Sequence, residues 1–417
     1  MSLEVNIEPE EFNSSELHNC IQEIAKMKGM EDFEYQVDFA CNKTENFVAN
    51  IFRVLINDSG KSKNVSVIVK TLVNTTRQDL FQELHKREVF VYKEVLPKFK
   101  LLQENIDIDE RVSLPECMFS STEKDREILI LEDLLVSGFA MDNKAANFKK
   151  LDYLQVRLVL TELAKFHALS FILQRKDPEN FDKLTSELQD IVFQDTFLNK
   201  SKLRNYFSDS FAMSMKQIKD EDAKKKLAKV ETKLLQVLRM FVEPKKYNVL
   251  CHGDCWINNI LFKHQVMKQS KICFLDFQAM RYANPTTDII YFLYLCTDAE
   301  FRSEYFETLQ TVYYESLKSF LRLFDIDVRT VYPLENFKND IEETLPFGLA
   351  MALVEMRIVT TTTEESTLQN YYYGPVTVEE AGDDSGSGSK LFSMRINDVV
   401  EESVNNGVLD KLVDAIN

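Results

Sequence analysis

The sequence predicts an α+β protein in which a smaller, sheet-rich N-terminal part precedes a larger and mostly helical part. Between residues 33 and 131, short apolar runs are separated by polar turns, a pattern typical of antiparallel strands. From Leu151 onward, apolar residues recur at helical spacing over long stretches. A third group of short apolar runs, within 248–288, brackets clusters of polar residues. At 417 residues the chain is long enough for two cores.

Composition excludes several classes of protein. Hydrophobic residues make up 45% of the chain and aromatic residues 11%, which argues against disorder. A net charge of -17 argues against nucleic acid or an anionic membrane as partner. No apolar run approaches the roughly 18 to 20 residues that a membrane span needs, and the acidic start, MSLEVNIEPEEF, does not resemble a secretory signal. Seven irregularly spaced cysteines suit reduced thiols, so we expect a cytoplasmic enzyme.

The N-terminal elements begin with a helix that Ser14 and Ser15 are expected to cap and Gly29 to follow. Two strands, 33–41 and 47–56, should then flank a polar turn that contains no glycine. The next strand, 65–69, ends in Lys70. Alone, that lysine could equally face the solvent.

A helix is predicted over 77–96, ended by Pro97. Glu88 lies on its apolar face, and because a buried carboxylate needs a partner, we expect it to pair with Lys70. Glu83, with Lys86 and Arg87 three and four residues later, is expected to form a solvated surface pair instead.

A hairpin, 116–131, is predicted to lead into Glu132, Asp133 and Leu134, and the domain boundary is placed near Ser137. Helices are predicted over 151–173, through the insertion 178–245, and over 301–324 and 391–416. The pattern over 221–241 indicates one amphipathic helix whose lysines at 224–226 face solvent. His167 is interpreted as a packed structural histidine, and the acidic stretch 364–390 as a surface loop.

The stretch 248–288 carries the chemistry. His252, Gly253 and Asp254 follow one short apolar run, Asn259 precedes a second, and Asp276 ends a third. Phosphoryl transfer to an alcohol requires a carboxylate to orient and deprotonate the hydroxyl, with an amide and a second carboxylate to hold cations between phosphates. Asp254, Asn259 and Asp276 supply those groups.

The spacing from Asp254 to Asn259, and the strand that delivers Asp276 and Phe277, are those of protein kinases. However, Gly253 replaces the arginine of the catalytic loop, Gln278 replaces the glycine of the metal loop, and no Ala-Pro-Glu segment follows. The combined pattern, HGDxWxxN followed by DFQxxRxxxPxxD, resembles the ecdysteroid kinase-like (CHK kinase-like) family of arthropods, related to choline and aminoglycoside kinases.

The resemblance implies a protein-kinase-like bilobal fold, with a nucleotide-binding lobe over 1–136, a hinge at 130–136 and a catalytic lobe over 137–417. It also implies ATP and Mg²⁺. In that reading the functional residues are the base Asp254, the magnesium ligands Asn259 and Asp276, the phosphate clamp Lys70 with Glu88, Asn46 in the loop over the nucleotide, and the hinge backbone of Glu132, Asp133 and Leu134. His252 and Asp288 would brace the catalytic loop, and Trp256 would pack under it.

The expected reaction transfers the γ-phosphoryl group of Mg-ATP to a hydroxyl of a small molecule. The resemblance implies that this acceptor is a lipophilic alcohol, an ecdysteroid or a xenobiotic. We expect the helices of 178–245 and 301–324 to wall the acceptor site. A choline- or aminoglycoside-like kinase and a steroid-binding pseudokinase are the alternatives. Intact Lys70, Asp254, Asn259 and Asp276 argue against the pseudokinase, whereas the glycine-free loop favours it. The sequence does not identify the acceptor.

Overall fold

A computed structural model of the chain describes residues 14–40, 49–58, 64–72, 78–141, 151–264, 270–360 and 387–416. Within them an antiparallel sheet with its helices forms a small lobe, and a mostly helical body forms a larger one. The predicted α+β, protein-kinase-like bilobal fold is therefore confirmed. Asn46 lies outside the described residues, as do the side chains of Ser14 and Ser15 and the stretch 364–386.

The small lobe is built on a sheet of five strands in the order β1-β2-β3-β5-β4, all antiparallel. Alternate residues of the central strands, among them Phe52, Val54 and Val67, are fully buried, and helix α1 covers them with Ile21 and Ile24. The strands are β1 Phe33–Phe39, β2 Asn50–Asp58, β3 Asn64–Thr71, β4 Cys117–Ser121 and β5 Ile128–Glu132, and α1 is Ser14–Met27.

The helix after β3 does not end at Pro97. It runs as α2 Gln78–Phe90, a π-helical turn Val91–Val95, and α3 Leu96–Leu102. In the π turn the Leu96 amide donates to the carbonyl of Val91, one residue further back than in an α-helix. Pro97, which has no amide hydrogen, thereby falls in the first turn of α3, where a proline is tolerated. The prediction that the helix ends at Pro97 was wrong because the extra residue of the π turn places Pro97 where a helix can begin.

Short strands interrupt the helices of the large lobe. β6 Val249–Cys251 pairs with β9 Arg281–Ala283, and β7 Ile260–Lys263 pairs with β8 Lys271–Phe274, all antiparallel. The predicted single helix over 221–241 is in fact two, broken at Thr232 and Lys233. The helices are α4 Tyr153–Lys176, α5 Pro178–Glu187, α6 Asp195–Lys200, α7 Leu203–Gln217, α8 Glu221–Glu231, α9 Leu234–Val242, α10 Thr286–Cys296, α11 Ala299–Arg322, α12 Val328–Val331, α13 Leu334–Thr360, α14 Ser387–Asn405 and α15 Val408–Asp414.

Two of these helices, α10 and α13, approach each other closely. A β-carbon at Gly348 of α13 would lie 2.5 Å from Ile290 Cγ2 of α10, so only glycine fits there. This contact matters for the site, because α10 carries Asp288 and Tyr291, and α13 carries Glu355 two turns beyond Gly348. Among the described helices, none combines the length and apolar character of a membrane span.

Candidate active site

Asp288 holds the catalytic loop in place. From the first turn of α10, its Oδ2 accepts a hydrogen bond from the His252 amide (2.6 Å) and its Oδ1 one from the Gly253 amide (2.9 Å). His252 in turn bonds through Nε2 to the carbonyl of Leu275 at 2.8 Å. Burial would raise the pKa of Asp288, but the bond to His167 and the charges of His167, His252 and Arg281 together outweigh burial and lower that pKa, so Asp288 is anionic. The geometry matches the bracing predicted for His252 and Asp288.

His167 is the other partner of Asp288. Its ring lies fully buried, with Nε2 3.1 Å from Asp288 Oδ2 and Nδ1 2.7 Å from the hydroxyl of Tyr313. Cys251 lies beside them, and the three potential ligand atoms of His167, Cys251 and Asp288 fall within 4.8 Å of one another. Hydrogen bonds account for this group fully, in agreement with the interpretation of His167 as structural.

Asp254 presents an oriented carboxylate. Its Oδ1 accepts from the Tyr291 hydroxyl at 2.8 Å and its Oδ2 from Asn259 Nδ2 at 3.0 Å. Burial raises the pKa of Asp254 and the nearby charge of Asp276 adds to the rise, while the two hydrogen bonds oppose it. Such a carboxylate is fixed in direction and more basic than a solvated one, as a group that receives a hydroxyl proton should be.

Asn259 and Asp276 lie on neighbouring ends of the β7-β8 hairpin. The Leu275 amide donates to the Asn259 carbonyl at 2.9 Å, which brings the next residue, Asp276, alongside. Asp276 has φ +62°, a left-handed conformation uncommon outside glycine. No described residue donates a hydrogen bond to Asn259 Oδ1 or Asp276 Oδ2. Two hard oxygen atoms are thus left over, and this donor set fits a Mg²⁺ ion.

Lys70 joins the two lobes. Its Nζ lies 2.7 Å from Glu88 Oε2 in α2 and 2.8 Å from Asp276 Oδ1. The side chains of Lys70 and Glu88 are 7% and 2% exposed, so the pair is buried. Burial alone would lower the pKa of Lys70, but the carboxylates of Asp276 and Glu88 outweigh it and raise that pKa. The predicted pair between Lys70 and Glu88 is present, and Asp276 completes it as a triad.

Arg87 does not form the predicted surface pair with Glu83. It is buried, and its guanidinium donates to the carbonyls of Gln189 (2.6 Å), Met280 (2.8 Å) and Glu187 (3.2 Å). Lys86 alone pairs with Glu83, on the surface. The error arose because helix spacing shows which residues of one helix are neighbours, but not what packs on the helix from outside. Arg87 fastens α2 to the segments around Asp276 and around residue 190.

The hinge residues Glu132, Asp133 and Leu134 differ in the contacts that they make. The Glu132 amide donates to the Glu116 carbonyl at 3.0 Å, and the carboxylate of Asp133 accepts from Arg53 and Ser66 of the small lobe. Leu134 packs with Phe139, Leu261 and Cys273 in a small apolar cluster. The Leu134 carbonyl is also engaged, since it accepts from the amides of Ser137 and Phe139, both at 3.1 Å.

A cavity of about 170 Å³ opens beside Asp254. Most of its wall is apolar or aromatic, and it is bounded by α2, the 192–207 segment, the catalytic loop, the 278–281 segment, α10 and α13. The segment 301–324, which we expected to help wall the acceptor site, contributes no lining residue. The wall includes Phe81, Leu84, Val192, Phe193, Leu203, Tyr206, Phe207, Asp254, Trp256, Arg281, Tyr291, Leu295, Met351, Glu355, Ile358 and Val359.

Glu355 is a polar residue of this wall that the sequence analysis missed. The Tyr206 hydroxyl donates to its Oε2 at 2.9 Å. Burial raises the pKa of Glu355 to about 8, and Asp254 contributes to the rise. The available signal was a single carboxylate in the apolar run of α13, FGLAMALVEMRIV, but no motif spacing links it to Asp254.

Residues 43–326 match the ecdysteroid kinase-like family. The chain belongs to this family. As a member it is a phosphotransferase, a small-molecule kinase whose acceptor is an alcohol group. No curated protein matches the sequence significantly.

Two solved structures are similar to this chain in the overall course of the backbone. Ethanolamine kinase of Plasmodium vivax is 13% identical, with a TM-score of 0.42, over 95% of this chain and 91% of the other. The GDP complex of wild-type aminoglycoside 2'-phosphotransferase-IIIa is 12% identical, with a TM-score of 0.43, over 94% and 100%.

Proposed function

We propose that this ecdysteroid kinase-like protein transfers the γ-phosphoryl group of Mg-ATP to a hydroxyl of a lipophilic alcohol bound in the cavity beside Asp254. The observation that carries the proposal is the position of the Asp254 carboxylate. It belongs to the wall of a largely apolar cavity, and its charge interacts with that of Asp276, which Lys70 ties to α2. A base for the acceptor hydroxyl therefore lies close to groups that suit the phosphoryl donor.

In this mechanism Asp254 accepts the proton of the acceptor hydroxyl as its oxygen attacks the γ-phosphorus. A phosphorus-oxygen bond to the acceptor forms, the bond to the β-γ bridging oxygen breaks, and ADP leaves. Tyr291 and Asn259 hold the carboxylate in direction. Lys70 holds the α and β phosphates, and Asn259 Oδ1 and Asp276 Oδ2 would hold Mg²⁺. That ion, when bound, neutralises charge that develops between the phosphates.

The nature of the cavity wall supports a lipophilic acceptor. Apolar and aromatic side chains predominate in the wall. The free energy of binding there is therefore most favourable for a ligand that buries apolar surface. The volume of about 170 Å³ is below the roughly 300 to 1,000 Å³ typical of pockets for drug-sized ligands. An ecdysteroid would therefore insert only the end that carries the reacting hydroxyl, whereas a smaller xenobiotic alcohol would enter whole.

A cationic acceptor of the choline type is the second candidate. Trp256, Tyr206 and Tyr291 in the wall supply the aromatic faces that attract such a cation. Against it, the Arg281 guanidinium also lines the cavity, 5.8 Å from the centre of the Phe193 ring. Glu355, with its pKa raised to about 8, offers no full negative charge at neutral pH. The intact triad of Lys70, Glu88 and Asp276 argues against a pseudokinase.

The test is to incubate the protein with Mg-ATP and a panel of sterols, phenols, glycosides and choline, and to look for phosphate addition by mass spectrometry. We expect a gain on one or more lipophilic alcohols, abolished in Asp254→Asn. Gain on choline alone would favour the cationic acceptor. No gain on any compound, together with absence of ATP binding, would contradict the proposal.

A further inference from the structure

We propose that Glu355, held by Tyr206, is a positioning residue that binds a second oxygen of the acceptor, and that the enzyme therefore selects neutral alcohols carrying two polar groups. This inference rests on the proposed function, since it assigns the acceptor to the cavity beside Asp254. It narrows the acceptor from any lipophilic alcohol to one with a hydrogen-bonding oxygen at a fixed distance from the reacting hydroxyl.

Glu355 has a carboxyl oxygen available for a further hydrogen bond. One carboxyl oxygen, Oε2, accepts from the Tyr206 hydroxyl at 2.9 Å. No described residue bonds to the other, Oε1. The side chain is half-buried and belongs to the cavity wall, so a ligand that enters the cavity can bond to this oxygen. A polar group in a largely apolar wall favours a ligand that offers it a hydrogen bond over one that covers it without a partner.

Glu355 shares its cavity with the base Asp254. Tyr206 and Tyr291 line the same cavity, and the charge of Asp254 acts on both Glu355 and Tyr291. Tyr291 donates to Asp254 and Tyr206 donates to Glu355, so each carboxyl group is oriented by its own tyrosine. The cavity thus presents two separately oriented carboxyl groups in a largely apolar wall, an arrangement that specifies orientation.

The charge state of Glu355 favours a neutral ligand. With its pKa raised to about 8, the Glu355 side chain is mostly protonated at neutral pH. A protonated carboxyl group can donate a hydrogen bond from one oxygen while the other accepts from Tyr206. Its preferred ligand is therefore a neutral hydroxyl, carbonyl or ether oxygen.

The test compares the binding of a series of α,ω-alkanediols with that of the matching primary alkanols, by calorimetry without nucleotide. In the wild type we expect one diol length to bind better than its alkanol. The excess should be about two- to tenfold, the worth of one hydrogen bond. Glu355→Leu should bring that ratio to about one, and Glu355→Gln should keep most of it because its amide still donates.

The control is Glu335→Gln, which changes an exposed glutamate in the first turn of the same helix and should leave the ratio unchanged. If the wild type shows no preference for any diol, or if Glu355→Leu retains the preference, the inference is wrong. Turnover is scored separately. A diol preference that Glu355→Leu abolishes, without phosphate transfer to any alcohol, would refute the proposed reaction and leave the binding role of Glu355 standing.

Discussion

Gly253 lies so close to Ala279 that a β-carbon at position 253 would stand 2.0 Å from the Ala279 carbonyl oxygen. Its φ of +86° is also a conformation that glycine adopts most readily. Protein kinases carry an arginine at this position of the loop. Here the segment after Asp276 occupies the space that such a side chain would need.

Gly253→Ala should therefore displace the catalytic loop. A misplacement of about 1 Å can cost on the order of 10²-fold in rate, so we expect kcat/KM to fall at least that far. Gly29→Ala is the matched control, because Gly29 also has positive φ (+72°) but has nothing within 4 Å of the new methyl group. It should lose roughly 1 to 2 kcal/mol of stability and no activity. Equal activity losses in both variants would show that backbone strain, not the contact with Ala279, is responsible.

Lys70→Met should weaken both nucleotide binding and the fold. It leaves Glu88, only 1% exposed, without its countercharge, and breaking a buried pair costs roughly 3 to 5 kcal/mol. Adding Glu88→Gln should recover part of the stability, measured by urea unfolding, without restoring ATP affinity, measured by calorimetry. A single Lys70→Met variant with wild-type stability and ATP affinity would rule out both roles.

Asp254→Asn and Asp276→Asn should differ in which step they impair. Asp254→Asn removes the proton acceptor, so kcat should drop by about 10²- to 10⁴-fold while Mg-ATP affinity is nearly preserved. Asp276→Asn removes an anionic oxygen ligand and the partner of Lys70, so Mg-ATP binding itself should weaken. Calorimetry on both variants, with steady-state kinetics, checks the split. The reverse pattern would mean that the two roles are exchanged.

An ω-methoxyalkanol, whose ether oxygen can only accept, should lose its preference over the matching alkanol as pH rises through about 8, where Glu355 loses its proton and can no longer donate. A diol should keep its preference, because its hydroxyl can donate to the carboxylate instead. The groups that face it are Tyr206, Asp254 and Tyr291, with Arg281 elsewhere in the wall. Burial raises the pKa of Tyr291 well above its usual value, and Asp254 acts on both acceptors alike, so neither should change the ratio. The ratio of kcat/KM values between pH 6 and 9 measures this, and Glu355→Gln should remove the inflection. An inflection that survives the substitution belongs to another group.

Local patterns predicted much of this molecule. The alternation of apolar and polar residues predicted the strands. The position of Glu88 on the apolar face of α2 predicted its pairing with Lys70. These patterns did not predict features that depend on tertiary structure. The π turn that carries the helix past Pro97 needs an extra residue whose place no propensity marks. Arg87 looked like a surface residue because its acceptors are carbonyls about 100 and 193 positions away in sequence.

Glu355 was missed for a related reason. It reaches the cavity only because Gly348 lets α13 lie against α10, and nothing local indicates that approach. The catalytic loop was easier to predict, since its polar groups must stand at fixed intervals between short strands. The cavity wall has no such constraint and is assembled from six separate segments of the chain.

Helix α2 contacts both the Lys70 ion pairs and the cavity beside Asp254. Glu88 pairs with Lys70, Phe81 and Leu84 line the cavity, and Arg87 donates hydrogen bonds to the backbone at Gln189 and Met280. Any shift of this one rigid element alters both surfaces together. If an acceptor that packs against Phe81 and Leu84 favours the position in which Glu88 reaches Lys70, it raises the affinity for nucleotide. By thermodynamic reciprocity, nucleotide must then raise the affinity for that acceptor by the same factor.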